Sequence, residues 1–214
     1  ISGDRVAIIS QNGDIINQTQ TSQWSADQSR QPDYWSGIKT QSMTQTEVGE
    51  TAAISAGKAL TLVAGNNIAI IGAKVVAVGD IAMKASNDIN IIANDLYSAQ
   101  QQSIGRNRNI ALNEQHDSQS SDISAGGAIN AQAGRDITLS ASHLGADGNT
   151  ALRAERDVNL QVNEKSSRAQ YRESEAKTIG YTRSTLSSGG NLTTSAGRDI
   201  NSQAAAVTAE NALV

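Results

Sequence analysis

The 214-residue chain has no cysteine, no phenylalanine and a single proline, and aromatic residues make up only 3% of it. Without cysteine there is no disulfide framework and no thiolate set for zinc or an iron–sulfur cluster. That absence suits a bacterial protein that must stay unfolded in a periplasm before export. With 38% apolar residues and almost no aromatic bulk, the chain lacks the material for an ordinary globular core of its length. No apolar run is long enough to span a bilayer as a helix, and nothing reads as a signal peptide. A formal charge of −4 and a pI of 5.2 disfavour nucleic acid as a partner.

What the chain has instead is repetition. The stretch from Gly57 to Ala93 recurs from Gly126 to Val162 and starts a third time at Gly190. Leu60, Ile68, Met83 and Ile89 align with Ile129, Ile137, Leu152 and Val158 at one constant offset of 69 residues, without a gap. Self-similarity on this scale marks a stacked solenoid whose units bury their apolar faces against one another. The inward positions, Leu60, Ile68, Ile81 and Ile89, then Ile129, Ile137, Thr150 and Val158, alternate at spacings of 8 and 13 residues. Around them the pattern has period two, as in Ile68-Ala69-Ile70 and Ile137-Thr138-Leu139, which identifies short strands. Gly134-Arg135-Asp136, Gly197-Arg198-Asp199 and Gly79-Asp80 turn the chain just before each strand. The expected fold is all-β, a right-handed parallel β-helix of about 20 residues per coil. Disorder is the competing reading for a chain so rich in Ser, Gln, Asn and Gly, and the phased Ile, Val and Leu positions argue against it.

Both ends read as interior: Val6 and Ile15 already sit in strands, Leu213 falls where a further inward position is due, and no polar cap is visible. Residues 1–214 therefore read as a single β-helical fragment of a longer rod. Three polar stretches interrupt it, at about 18–52, 94–124 and 163–188, and they carry the aromatics: Trp24, Tyr34 and Trp35, then Tyr97, then Tyr171 and Tyr181. Alternation in Ile38 to Thr46 and Ala176 to Thr182 predicts polar hairpins, the first turning near Gln31-Pro32-Asp33, where proline is tolerated. Solvated loops are the alternative, strongest for the second stretch with its Arg106-Asn107-Arg108 run. The six aromatics are candidate partner contacts, and a polar ribbon also offers an edge for strand pairing. Alternatively, the rings cover the side of the β-helix beneath them.

Chemistry is sparse. Asp80, Asp88, Asp136, Asp157 and Asp199 each stand one place before an inward apolar residue, a repeated turn position rather than a convergent glycosidase pair. Arg135-Asp136, Arg156-Asp157 and Arg198-Asp199 are placed to form an ion ladder along one edge. Gly126-Gly127 and Gly189-Gly190 lack the Gly and Asp that a calcium-binding β-roll needs next. His116 and His143 stand in unrelated contexts and suggest neither a metal set nor a nucleophilic triad, so no cofactor is expected.

The phrases Ala133-Gly134-Arg135-Asp136-Ile137-Thr138-Leu139, Ala154-Glu155-Arg156-Asp157-Val158-Asn159-Leu160 and Ala196-Gly197-Arg198-Asp199-Ile200-Asn201 resemble hemagglutinin repeats of filamentous hemagglutinin-type exoproteins of two-partner secretion. Their alternation with Ser/Gln/Thr-rich interruptions is similar to the second hemagglutinin-repeat region of contact-dependent growth inhibition effectors and related adhesins. The resemblance implies export through an outer-membrane partner, a β-helical filament at the cell surface, and engagement of a target-cell envelope or receptor in delivering a C-terminal toxin. It carries over no catalytic residue. The expected role is thus a non-catalytic structural and delivery segment. An adhesin module acting through the hairpins is the alternative, and a β-helical polysaccharide-degrading enzyme a distant third.

Overall fold

The computed structural model describes residues 1–30, 39–104 and 110–211. The expected Gln31-Pro32-Asp33 turn, Tyr34, Trp35, the Arg106-Asn107-Arg108 run and Leu213 lie outside the described residues. The chain winds in turns of three strands. The first turn holds β1 (Ser2–Ser10) and β2 (Ile15–Gln18), leaves as a hairpin of β3 (Thr21–Arg30) and β4 (Lys39–Val48), and returns in β5 (Ala53–Ala64), which runs on into the second. The second turn continues with β6 (Ile68–Ile71) and β7 (Lys74–Ala77). The third comprises β8 (Ile81–Ala85), β9 (Ile89–Ile92), a hairpin of β10 (Asn94–Ile104) and β11 (Ile110–Gln119), and β12 (Asp122–Ala125). The fourth is β13 (Ile129–Ala133), β14 (Ile137–Ser140) and β15 (His143–Ala146). The fifth has β16 (Thr150–Ala154), β17 (Val158–Gln161), a hairpin of β18 (Asn163–Tyr171) and β19 (Ser174–Thr182), and β20 (Thr185–Ser188). The sixth is β21 (Leu192–Ala196), β22 (Ile200–Ser202) and β23 (Ala206–Ala209).

Strands at matching places in successive turns pair in parallel, giving three faces. One stacks β1, β5, β8, β13, β16 and β21. The second stacks β2, β6, β9, β14, β17 and β22. The third stacks the start of β5 with β7, β12, β15, β20 and β23. This is the expected parallel β-helix, with one face more than the spacing of inward positions revealed. The longer step, from Ile68 to Ile81, holds a whole extra strand whose inward residues are only Val75 and Ala77, too small to stand out. Asp122–Ala125 and Thr185–Ser188, at the ends of two polar stretches, likewise belong to this third face.

The core is a set of residue columns. Leu60, Ile81 and Ile129 stack on the first face, Ile68, Ile89, Ile137 and Val158 on the second, and Val75, Ile123, Leu144 and Leu186 on the third, all of them buried. Each such side chain contributes about 1.5–3 kcal/mol by leaving water. Thr150 takes an inward place between Ile129 and Leu192, and its buried hydroxyl has no hydrogen-bond partner.

The Gly-Arg-Asp phrase now has a cause for each residue. A Cβ at Gly134 would stand 2.0 Å from the Ser86 carbonyl oxygen of the turn below, so only glycine fits that close approach. Arg135 reaches down to Asp88 through Nε at 2.9 Å and a second contact from Nη2. Asp88 Oδ1 also accepts the Asp136 amide at 3.2 Å. The same set recurs as Arg156 on Asp136 and Arg198 on Asp157. Hydrogen bonds from these guanidinium groups are the main reason that the Asp88, Asp136 and Asp157 carboxyls lie below the usual Asp range. The ladder that the Arg-Asp pairs suggested is therefore present, and it engages Asp88, Asp136 and Asp157.

A free-standing wing as the candidate interaction surface

The hairpins leave from one corner, between the second and third faces, and only in alternate turns. In the second, fourth and sixth turns that corner is closed by one left-handed residue: Gly72 (φ 53°), Ala141 (φ 48°) and Ala204 (φ 46°). Plain turns separate Asn67 from Asp88 and Asp136 from Asp157 by 21 residues. Turns with hairpins separate Asp14 from Asn67 by 53, Asp88 from Asp136 by 48 and Asp157 from Asp199 by 42.

Buried hydroxyls pin each hairpin at its root. Ser121 Oγ donates toward two carbonyls in successive turns, Ile70 O at 3.1 Å and Ile92 O at 2.7 Å, and accepts the Ala73 amide at 3.2 Å. Ser184 repeats this on Leu139 O at 3.1 Å and Gln161 O at 2.5 Å. In the first turn the corresponding residue is Ala52, and Thr19 takes over: its hydroxyl donates to Gly72 O at 2.5 Å and accepts the Ala52 amide at 2.9 Å. Such bonds matter because a buried polar group left unpaired costs about 1–3 kcal/mol.

Beyond the root the three hairpins join into one antiparallel sheet, ordered β19-β18-β11-β10-β4-β3. The two-turn period explains why they meet. Stacked strands lie about 4.8 Å apart, so two turns rise by the width of two strands, which is what one hairpin supplies. Rungs consequently cross all six strands without slipping: Trp24, Gln45, Ser98, Gln115, Ser167 and Thr178 form one, and Ala26, Met43, Gln100, Asn113, Ala169 and Ala176 another. The second hairpin, whose reading as a solvated loop was strongest, is as strand-like as the others.

The wing has two solvated faces. The first bears the two rungs just named, rich in Gln, Ser, Thr, Asn and Ala, and nearer the root it carries an ion pair of Lys165 with Asp117 at 3.3 Å. The other carries the rung Ser25, Thr44, Ala99, Glu114, Arg168 and Lys177. There Arg168 bridges Glu175 at 2.9 Å and Glu114 at 3.3 Å. Tyr97 sets its ring 4.8 Å from that of His116, tilted by 46°, and sends its hydroxyl to Glu114 at 3.3 Å. Burial, reinforced by the Glu114 charge, raises the Tyr97 phenol above its ordinary value. Asp95, Tyr97, His116, Glu164, Ser166 and Lys177 help line a shallow depression of about 490 Å³ on this sheet.

The candidate aromatics are distributed rather than gathered. Trp24 and Tyr171 point to the first face from distant strands, and Tyr97 and Tyr181 point to the second. Tyr171 and Tyr181 are 56% and 60% exposed. The sequence offered no sign of His116, Glu114 and Arg168 as Tyr97's surroundings, because cross-hairpin pairing sets them side by side. Among the described residues no group of three His, Asp or Glu side chains is placed to hold a metal ion.

A three-faced parallel β-helix carrying a periodic antiparallel wing defines a solenoid repeat protein. Comparison then gives the family: the hemagglutinin repeat matches residues 35–161, and the chain belongs to it. The chain is 82% identical over 193 residues to the tRNA nuclease CdiA of Yersinia mollaretii, covering 90% of this chain and 6% of that protein. It is 36% identical over 210 residues to the tRNA nuclease CdiA of Escherichia coli O6:K15:H31 (98% of this chain, 6% of that protein). It is also 33% identical over 150 residues to the deoxyribonuclease CdiA of Dickeya dadantii (68% and 4%). The chain thus spans about 6% of the length of the first of these relatives. No solved structure matches it.

Proposed function

We propose that this segment is a non-catalytic rod of a large secreted toxin of the contact-dependent growth inhibition type. It helps present or translocate a C-terminal nuclease at a target-cell envelope after export through an outer-membrane partner. The observation that carries this reading is the wing: a six-stranded sheet with two solvated faces that adds nothing to the core, beside a solenoid in which Asp88, Asp136 and Asp157 are tied into a ladder. The nuclease names belong to relatives of which this region is a small part, and they supply the cargo in this reading. An adhesin role for the same wing is favoured by the exposure of Tyr171 and Tyr181.

The test uses the full-length protein with Val162–Arg183 replaced by one glycine, so that the fifth turn closes as the second does at Gly72. Surface export is expected to persist while toxin delivery to neighbouring cells drops by an order of magnitude. Unchanged delivery would refute the role. Loss of cell attachment alongside delivery, repeated by Tyr181→Ala, would favour the adhesin reading.

A further inference from the structure

Each turn of a solenoid touches only its neighbours along the rod, so further turns of a longer rod would extend the wing at its edges and add nothing against its faces. The wing's first face is ordered by charge along its strands. Its three middle rungs, through Gln45, Met43 and Gln41, hold no charged residue on any of the six strands. Toward the root of the first hairpin the same face carries Glu47, and toward its tip Lys39 beside Arg30, all three exposed. Between them lies a shallow depression of about 290 Å³, lined in part by Met43, Gln45, Ser98, Gln100, Asn113 and Gln115.

We infer that this face binds a second copy of this chain, laid face to face across a two-fold axis that runs along the Met43 rung. Such a rotation sets Gln41 over the partner's Gln45, Tyr171 over the partner's Ser167, and Gln100 over its own copy. It also sets Glu47 over the partner's Lys39, and the contact is made twice, as an isologous interface requires. Unlike charges thus meet at the rim, and no charge meets its like in the middle. The wing's other face has no such self-match, because turned about its charged rung it sets Glu114, Arg168 and Lys177 against their own copies. Rungs run along the stacking direction, so the axis is parallel to the rod. Two rods therefore lie side by side with one polarity, their wings overlapping between them, and every further pair of turns adds to the contact. Strand rise and spacing give the five rungs from Glu47 to Lys39 about 27 Å by about 29 Å across six strands, roughly 700 Å² on each partner and close to a standard interface. Small Ala and Ser beside long Gln and Met let two such faces interdigitate, as uncharged sheets bearing Asn and Gln do.

The chain has no cysteine, so a single introduced thiol reads the geometry. Gln100→Cys, on the axis, is expected to be joined to its own copy by a short bis-maleimide, giving a dimer and nothing larger. Ala99→Cys, on the wing's other face, is expected to give no dimer. Sedimentation of the unmodified chain is expected to show a monomer–dimer equilibrium. Gln100→Lys/Asn113→Lys sets like charges across the axis and is expected to weaken the dimer about tenfold or more, whereas Ala99→Lys leaves it unchanged. Glu47→Lys is expected to weaken it as well, and Lys39→Glu added to that variant to restore it. A monomer throughout the soluble range, equal cross-linking of the two thiols, or a dimer indifferent to the paired lysines overturns the proposal.

Discussion

The solenoid and the wing are built from the same kind of strand, yet different physics holds them. In the solenoid each strand turns one side to a column of Ile, Leu and Val, and a one-residue slip would bring outward Thr138 or Asn159 into the core. In the wing neither side is dry, so no slip is penalised by burial. Its register is inherited from the roots, where Ser121 and Ser184 lock the corner, and from the match between two turns of rise and two strands of width. Order in a polar sheet can thus be borrowed from an apolar one. The wing is expected to be the less stable of the two and to melt without taking the solenoid with it.

The sharpest test of that contrast is a pair of truncations. Ile137 is fully buried between Ile89 and Val158, and Ile137→Ala is expected to cost about 2–5 kcal/mol in a denaturant melt. Met43, in the middle of a wing rung, is only half-buried, and Met43→Ala is expected to cost about 0.5 kcal/mol or less. Comparable losses at the two sites would mean that the wing has a core of its own.

How far the sequence could be read follows from the same contrast. The columns of Leu60, Ile81 and Ile129 and of Ile68, Ile89 and Ile137 were legible because burial imposes large apolar residues at fixed spacing. The third face was not, since Val75-Val76-Ala77 and His143-Leu144-Gly145-Ala146 carry too little bulk to announce a strand. The Arg-Asp ladder was legible as well. The joining of three hairpins into one sheet was not, because it depends on the rise of the solenoid and not on any side chain. The split of Trp24 and Tyr171 from Tyr97 and Tyr181 could be seen only once the rungs were known.

An intermediate effect is expected at the roots. Ser121→Ala strands the buried Ala73 amide and removes a donor from the Ile70 and Ile92 carbonyls. The expected loss is about 1–3 kcal/mol, with amide exchange in β10 and β11 rising more than in β9 or β14. Equal acceleration on both sides would show that the pin supports the solenoid and not the wing's register. The first hairpin provides a comparison, because Ala52 occupies the serine's place there and Thr19 reaches the same corner from the opposite strand.

The smallest effect belongs to the ladder, because its guanidinium partners stand in water and solvent weakens such pairs. Asp88, Asp136 and Asp157 are held below the usual Asp range, chiefly by hydrogen bonds from Arg135, Arg156 and Arg198. A depressed carboxyl binds its proton more weakly in the folded chain than in the unfolded one. Its stabilisation is therefore complete above the unfolded value of about 4 and is lost as pH falls through the lower folded value. Asp136→Asn is expected to lower the melting midpoint modestly at neutral pH, and the gap from the parent protein is expected to shrink steadily below about pH 4. The absence of any gap at neutral pH would assign the role of Asp136 to its acceptance of the Asp157 amide, at 3.2 Å, which the asparagine Oδ1 can retain, rather than to its charge.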